Sequence, residues 1–376
     1  MTTTPTRTST SSPEGPARLR SLDALRGFDM MWIAGGDAVG IAAAKLGAGP
    51  WLAVQLDHAQ WRGFHFYDLI FPMFVFMVGV AIAFSLGRIR EQQGDAGAVS
   101  RIVRRAVLLY LIGIIYYGGL DGGLAHVRLL GVLQRIALAY LIAGLLFLRL
   151  NPRGLVIACV VILVGYWALL RFVPVPGWGP GDFAEGHNLT NWIDSRFLPG
   201  RKWDGDHDPE GILSTLPAAA TCIIGVLAGI FIRGKAPTSR RSAALAVAGV
   251  ALLCAGFLWG TEFPIIKKIW TSSYVLVAGG WSLLFLAAFY HVIDVMGISR
   301  WASPFVWIGM NALAIYVATN VTNFWKLADR FVGSGVQASL DAVRPGLGAL
   351  AEGLVCLLLV FALAGFLHRR RVFIRL

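Results

Sequence analysis

The stretch "LDHAQWRGFHFYDLIFPMFVFMVGV", residues 56–80, decides how this chain is read. From Leu69 it runs on without a charged residue to about residue 87. That is close to the ~20 apolar residues a helix needs to cross a bilayer. Yet the run opens on His58, Arg62, His65 and Asp68. Titratable groups at the mouth of a span are costly unless a cavity or a partner receives them.

The rest of the chain repeats the apolar pattern. Of 376 residues, 56% are hydrophobic and 14% charged, and the mean hydropathy is +0.66. Soluble domains carry about a quarter charged residues. Ten runs are expected to span, at roughly 22–46, 66–87, 106–120, 129–148, 154–170, 210–232, 242–260, 273–296, 303–324 and 345–367. The ~10-residue alternating segments of a membrane β-barrel do not occur. The expected fold is all-α, a polytopic transmembrane helical bundle of about ten spans.

With the N-terminus in the cytoplasm, the inner segments hold 19 Lys/Arg in 68 residues and the outer ones 11 in 96. Three acids fall inside and eleven outside. This is the positive-inside bias. Both termini are therefore expected in the cytoplasm, and the protein in the inner (cytoplasmic) membrane. The net charge of +12 then calls for no nucleic-acid partner. Residues 1–20, rich in Ser, Thr and Pro, are expected to form a disordered cytoplasmic tail. They lack the apolar core of a cleaved signal peptide. Residues 21–376 form the membrane domain. Cys159, Cys222, Cys254 and Cys356 lie in apolar runs without ligand spacing, so neither disulfides nor a metal is expected.

The charges inside the spans are the candidate functional groups. Asp23, Arg26 and Asp29 stand at i,i+3 spacing and could form an ion-pair ladder or bind a ligand. Asp37 follows Gly35-Gly36 with no basic residue four positions either side, which favours a functional role. Asp68 is three residues after His65, a spacing at which a carboxylate can fix an imidazole tautomer. Gln134 and Arg135 lie near the middle of a span; Arg135 faces either a first-span aspartate or an anionic ligand. His291 and Asp294 read as an interfacial pair, and Asn311 as a helix bridge or a ligand contact. Trp270 reads as an interface anchor or part of a binding wall. "DHDPEGILSTLP" (206–217) reads as a helix entry with Pro209 in the first turn. The outer loop 171–209, rich in Gly, Pro, Trp and acid, reads as a solvated connector or a surface for a polar, cationic sugar. No Walker A, HExxH or GxSxG motif is present.

Six blocks in order resemble the heparan-α-glucosaminide N-acetyltransferase family and its bacterial NagX-type relatives. They are "SLDALRGFDMMWIAGG" (21–36), "HAQWRGFHFYDLIFPMFVFMVGVA" (58–81), "GVLQRIALAY" (131–140), "DPEGILSTLP" (208–217), "WTSSYVL" (270–276) and "GMNALAIYV" (309–317). The resemblance implies a transmembrane acetyltransferase. It would take acetyl from cytosolic acetyl-CoA, a co-substrate, and pass it to a glucosamine-type amine on the far side. The implied catalytic histidine is His58, either as general base or as an acetylated intermediate; the sequence leaves both open. Asp37 stands where family members carry Asn and joins His58 as a catalytic candidate. Arg26, Asp29, Gln134, Arg135, Trp270 and Asn311 are candidates for binding substrate or co-substrate. The family's "NKxLW"-like run becomes Ile266, Lys267, Lys268, Ile269, Trp270 here. Arg101, Arg104 and Arg105 could hold the nucleotide end of CoA. The expected partners are acetyl-CoA, a glycan acceptor and membrane lipids, with a homodimer left open. A sugar transporter and a non-catalytic membrane partner are the competing readings.

Overall fold

The computed structural model describes residues 19–234 and 238–374, so the expected tail lies outside it but for its last two residues. In chain order the helices are α1 (Arg20–Met31), α2 (Asp37–Ala43), α3 (Pro50–Gln55), α4 (Phe66–Tyr116), α5 (Val132–Arg149), α6 (Pro152–Phe172) and α7 (Leu189–Phe197). There follow α8 (Thr215–Arg233), α9 (Thr238–Trp259), α10 (Ser272–Tyr290), α11 (Ser303–Met310), α12 (Ala312–Val321), α13 (Phe324–Val343) and α14 (Leu347–Arg369). The described residues form no strand, and the all-α bundle is as expected.

Among the described residues, seven helices are long and apolar enough to cross a membrane, or eight if α11 and α12, bent by 76°, are one span. One of the ten expected runs is not a single helix, and two others agree with the expectation but are counted together as one long helix. The run 22–46 is not one helix. Gly35 (φ 129) breaks it after Trp32, and Gly47 (φ 102) turns it again; such backbone is open to glycine and strained for other residues. The runs 66–87 and 106–120 are two arms of α4, interrupted at Gly94 (φ 72). On the first arm Phe76 meets Gly225 of α8 and Gly87 meets Arg233, so both chains advance together. On the second, Ile102 meets Gly144 of α5 and Gly113 meets Gln134, so they run oppositely. Arg135 near the start of α5 bonds Ser214 just before α8, so those two helices start at the same end. The chain therefore reverses at Gly94.

Where α4 crosses α8 the backbones touch. A Cβ on Gly79 would stand 1.9 Å from the Cys222 carbonyl oxygen, and one on Gly225 1.9 Å from that of Phe76. Small residues allow this approach, the main source of packing where lipid supplies no hydrophobic drive. Arg20, Ser303 and His368 line one cavity, so the starts of α1 and α11 and the end of α14 share one side of the bundle. The expected His291–Asp294 pair is not formed. Asp294 Oδ2 accepts the Ser21 amide (3.2 Å) at the start of α1, and His291 Nδ1 meets Ser242 Oγ (3.0 Å). All four cysteines are free; Cys254 is exposed and the rest are buried.

Candidate active site

The loop before α4 carries His58, and the first turn of α4 fixes it. Asp68 sits at the third helical position and its Oδ2 accepts the amide of His65 (3.0 Å), the residue preceding the helix, and of Ala59 (3.2 Å). A carboxylate reaching back this way satisfies amides that the helix itself leaves unpaired. Oδ1 is left for the His58 ring, with Nδ1 at 2.9 Å. The expected His65–Asp68 ring pair is thus corrected. His65 gives Asp68 its main-chain amide, while its ring meets the Asp57 carbonyl at 3.0 Å. Asp68 is fully buried, whereas the His58 side chain is 49% exposed.

A second loop completes the cluster. The Gly63 amide donates to the Ile265 carbonyl (2.9 Å), tying loop 57–65 to loop 261–271. Lys267 Nζ then lies 2.9 Å and 3.1 Å from the two His58 ring nitrogens and 3.4 Å from Asp68 Oδ1. A carboxylate can only accept, so Nδ1 carries the proton toward Asp68 and Nε2 keeps a lone pair; the ammonium, almost equally far from both nitrogens, lies against the ring and not in line with that lone pair. Burial pushes the Lys267 ammonium below its ordinary pKa, more than the Asp68 and Glu210 carboxylates pull it back. Asp37 joins through a tyrosine: Tyr67 Oη donates to its Oδ2 (3.0 Å), and the Tyr67 ring packs 4.8 Å from the His58 ring.

His58 and Lys267 stand where two cavities meet. One, of about 140 Å³, is an apolar slot bounded by Met30, Ile33, Ile70, Phe74, Leu313 and Tyr316. The other, of about 420 Å³, is polar and aromatic, bounded among others by Tyr116, Tyr117, Trp203, Asp204, Glu210 and Trp270. Its wall is braced by Arg128, which bonds both oxygens of Asp208 (2.9 and 2.7 Å) and Glu210 (2.6 Å). The guanidinium lies over Tyr117 at 4.4 Å and Trp203 at 4.9 Å. Burial works against its charge, but the Asp208 bonds and the Glu210 charge outweigh that and hold its pKa above the ordinary value. Residues 208–214 are therefore an ion-paired turn, not the expected first turn of a helix; α8 begins only at Thr215.

The other candidates fall at graded distances from this centre. Trp270 lines the polar chamber in a left-handed backbone (φ 51) and donates to Thr221 Oγ1 (3.1 Å). Arg135 lies behind it, 4.9 Å from its ring, bonded to Ser214 Oγ and fully buried. Its partner is thus neither a first-span aspartate nor an exposed ligand position. Gln134 holds the Arg128 carbonyl (3.2 Å). Arg26 pairs with Asp23 (3.5 Å), but both oxygens of Asp29 are buried without a hydrogen bond, so the ladder lacks its second rung. Asn311 is outside the site: its amide donates to the Val372 carbonyl (3.1 Å) and accepts the Ile374 amide (2.9 Å). Arg105 lies over the Tyr140 ring at 4.8 Å. Glu185, Asp204 and His207 bring possible metal ligands within 4.8 Å of one another. Lys268 Nζ already balances two of them, at 2.7 Å from Glu185 and 3.0 Å from Asp204.

Lys267, Tyr67, Arg128 and Glu210 surround His58 and were not among the sequence candidates, while Asp68 was singled out to orient a histidine but with His65 in place of His58. The family profile described as "Heparan-alpha-glucosaminide N-acetyltransferase, catalytic" matches residues 18–194. That range takes in Asp37, His58, Tyr67, Asp68 and Arg128, and leaves out Glu210 and Lys267. The human protein named heparan-alpha-glucosaminide N-acetyltransferase is 30% identical over 380 residues, covering 84% of this chain and 55% of its own. The mouse protein of the same name is 29% identical over 378 residues, covering 83% and 55%. The chain thus spans about half the length of the curated relatives it matches.

Proposed function

We propose that this chain, which matches the heparan-alpha-glucosaminide N-acetyltransferase catalytic profile over residues 18–194 and is 30% identical to the human protein of that name, moves acetyl from acetyl-CoA to the amine of a glucosamine-type sugar. The observation that carries this reading is the His58 ring at the junction of an apolar slot and a polar chamber, held from behind by buried Asp68. The slot suits the pantetheine arm and the thioester. The chamber, with Trp203 and Tyr117 beside Glu210 and Asp204, suits a sugar bearing an ammonium.

The chemistry follows from the lone pair on Nε2. At rest the Lys267 ammonium lies against the ring, 2.9 and 3.1 Å from its two nitrogens, and leaves that lone pair open. The acceptor ammonium loses one proton to solvent, and the free amine gives a second to Nε2 as nitrogen attacks the thioester carbon. Negative charge grows on the carbonyl oxygen, and Lys267, beside the ring, faces it as a cation. The C–S bond then breaks, and the His58 proton neutralises the departing thiolate. The products are the N-acetyl sugar and free CoA. Both reactants reach the same ring, which favours direct transfer over an acetyl-histidine intermediate. Asp68 fixes the tautomer. Asp37 positions Tyr67, whose ring flanks His58. We place the protein in the inner membrane, with the acceptor on the extracytoplasmic side and the donor reaching the slot from the cytoplasm.

The test is incubation of the purified protein in nanodiscs with labelled acetyl-CoA and glucosamine. Labelled N-acetyl product that disappears in His58→Ala is expected. Product formed equally by His58→Ala overturns the role of His58. Sugar uptake into proteoliposomes without any acetylation overturns the enzyme reading in favour of transport.

A further inference from the structure

The loops on either side of α7 meet at His207, a buried ring of which one nitrogen is unused. Among the described residues it belongs to the one group of three possible metal ligands, with Glu185 and Asp204. His207 is 5% exposed. Its Nδ1 lies 2.7 Å from Asp206 Oδ1, and a carboxylate can only accept, so Nδ1 carries the proton and Nε2 keeps its lone pair. Nε2 is buried without a hydrogen bond, 3.7 Å from Glu185 Oε1 and 3.8 Å from Asp204 Oδ2. A second proton on Nε2 would find no acceptor, because both oxygens are beyond hydrogen-bond reach. A buried lone pair beside two carboxylates calls instead for a cation among them. We propose that Glu185, Asp204 and His207 bind a divalent transition-metal ion, zinc by the chemistry of their donor atoms.

Zinc bonds imidazole nitrogen and carboxylate oxygen at about 2.0–2.2 Å, which sets two ligands of a tetrahedron roughly 3.3–3.5 Å apart. The separations of 3.7 and 3.8 Å are thus too long for hydrogen bonds and close to those of shared ligation. All three donor atoms lie within 4.8 Å of one another, and the Glu185 side chain, 42% exposed, is free to turn and close the remaining gap. The Asp206 carboxylate behind Nδ1 is the support that metal-bound histidines have: it fixes the tautomer and makes Nε2 a stronger donor. Calcium and magnesium prefer oxygen alone, so the imidazole selects zinc or a neighbour in the first transition row. A turn builds half of the site, with the Asp204 amide donating to the His207 carbonyl (3.1 Å). Glu185 comes from the loop before α7, so the ion ties the two loops together. Lys268 marks where the charge belongs. Its ammonium stands 2.7 Å from Glu185 Oε1 and 3.0 Å from Asp204 Oδ2, yet Asp204 Oδ2 has no hydrogen bond. One positive charge faces two acids there, and a divalent ion displaces it. Lys268 and Asp204 both line the polar chamber, so the released ammonium stays at the edge of that chamber.

The probe is zinc chloride, added to the full chain in nanodiscs of neutral lipid, with free zinc buffered by a chelating dye and empty nanodiscs as the blank. Saturable zinc binding by the wild type is expected, and X-ray absorption of the bound zinc should show one imidazole among oxygen ligands. His207→Ala should weaken binding about a hundredfold or more, since losing only the partner behind a metal-bound histidine costs about 10–100-fold. Glu185→Gln, at an exposed loop position that the fold does not need, should weaken it by more than about tenfold. Lys268→Met removes the competing cation and should tighten binding about tenfold, two part-exposed ion pairs no longer having to be broken. Zinc should also raise the melting temperature of the wild type and not of Glu185→Gln, whose melt without zinc reports its folding. None of these readouts depends on acetyl transfer. Zinc left unbound by the wild type, or bound equally by wild type, Glu185→Gln and His207→Ala, overturns the site, as does an absorption spectrum without imidazole. Unchanged or weaker binding by Lys268→Met overturns the placement of the ion where the ammonium now stands.

Discussion

Replacing Asp68 with Asn keeps the shape of the site and changes one thing, the direction of a proton. Oδ2 accepts two main-chain amides, from His65 and Ala59, and these cannot move without unwinding the start of α4. The amide oxygen of Asn must therefore stay with them, and its NH₂ turns toward His58 Nδ1. A donor there forces Nδ1 to accept, so the ring proton moves to Nε2 and the lone pair that takes the acceptor proton is lost. General-base catalysis contributes about 10²–10⁴-fold, and the equivalent tautomer change in a Ser-His-Asp triad costs about 10⁴-fold. The expected loss in kcat is thus about 10³-fold, or ~4 kcal/mol in the barrier. The acceptor KM should change by less than about threefold, because Asp68 is buried behind His58 and touches no acceptor. Steady-state acetylation of glucosamine by nanodisc-embedded Asp68→Asn gives both constants, and a matched thermal melt reports folding. A variant that folds and keeps kcat within about threefold of the wild type would refute the reasoning, since neither the tautomer nor its orientation would then govern the step.

Lys267→Met should lower kcat by about 10²-fold or more, the usual effect of removing one donor to a developing oxyanion. Because burial holds the Lys267 ammonium below its ordinary pKa, kcat should fall on raising the pH at a lower value than a free lysine would give. Lys267→Arg, charged throughout, should move that alkaline limb upward; an unmoved limb in pH–rate profiles argues against Lys267 as its origin. Arg128→Met leaves Asp208 and Glu210 buried and uncompensated, and should destabilise by about 3–5 kcal/mol in reversible unfolding. Asp194 lies buried under Gly211 and accepts the Ile212 amide (2.8 Å); burial raises its pKa to about 6 from 3.8. The folded form thus holds the proton more tightly, so stability is full below pH ~4 and falls through pH ~6, by on the order of 3 kcal/mol. Asp194→Asn should flatten that part of the stability-versus-pH curve. Tyr67→Phe keeps the ring against His58 and removes the bond to Asp37, so it should cost under about tenfold in kcat if Asp37 only positions; a larger loss assigns the hydroxyl itself to the reaction.

The sequence was legible where chemistry repeats along the chain. Apolar runs located the helices, and the "HAQW" block marked His58. It was less legible where one side chain has two uses. Asp68 was visible three residues from His65, but the main chain takes that pairing: helix starts need amides satisfied, and the nearest carboxylate does it. Its second oxygen was then free for a histidine ten positions back on an irregular loop, which no periodicity predicts. Lys267 is 209 residues from His58, and they meet through loop-to-loop contacts such as the Gly63 amide bond, which no sequence pattern announces. Arg128 gives no local sign of its role, because its two acids lie 80 and 82 positions on. Asn311 misled for the opposite reason. It is a polar amide inside an apolar run, which left a ligand contact open, but it sits at the break between α11 and α12 and the main chain of residues 372 and 374 takes its hydrogen bonds.

Several residues of the site and of the cavities beside it share a location: they lie on or beside backbone that is not regular helix. Gly35 breaks the first span near Asp37, Trp270 holds φ 51 in the chamber wall, and Asn323 holds φ 48 in the wall of a neighbouring cavity. At membrane depth such backbone survives only where protein buries it or a cavity solvates it, because lipid offers its amides no partner. Helical breaks and cavities are therefore two sides of one constraint in this fold. The breaks free side chains to converge from distant parts of the chain, and the convergence supplies the polar surroundings that make the breaks tolerable. That is why hydropathy, which detects unbroken apolar helix, finds the walls of this site and passes over the groups inside it.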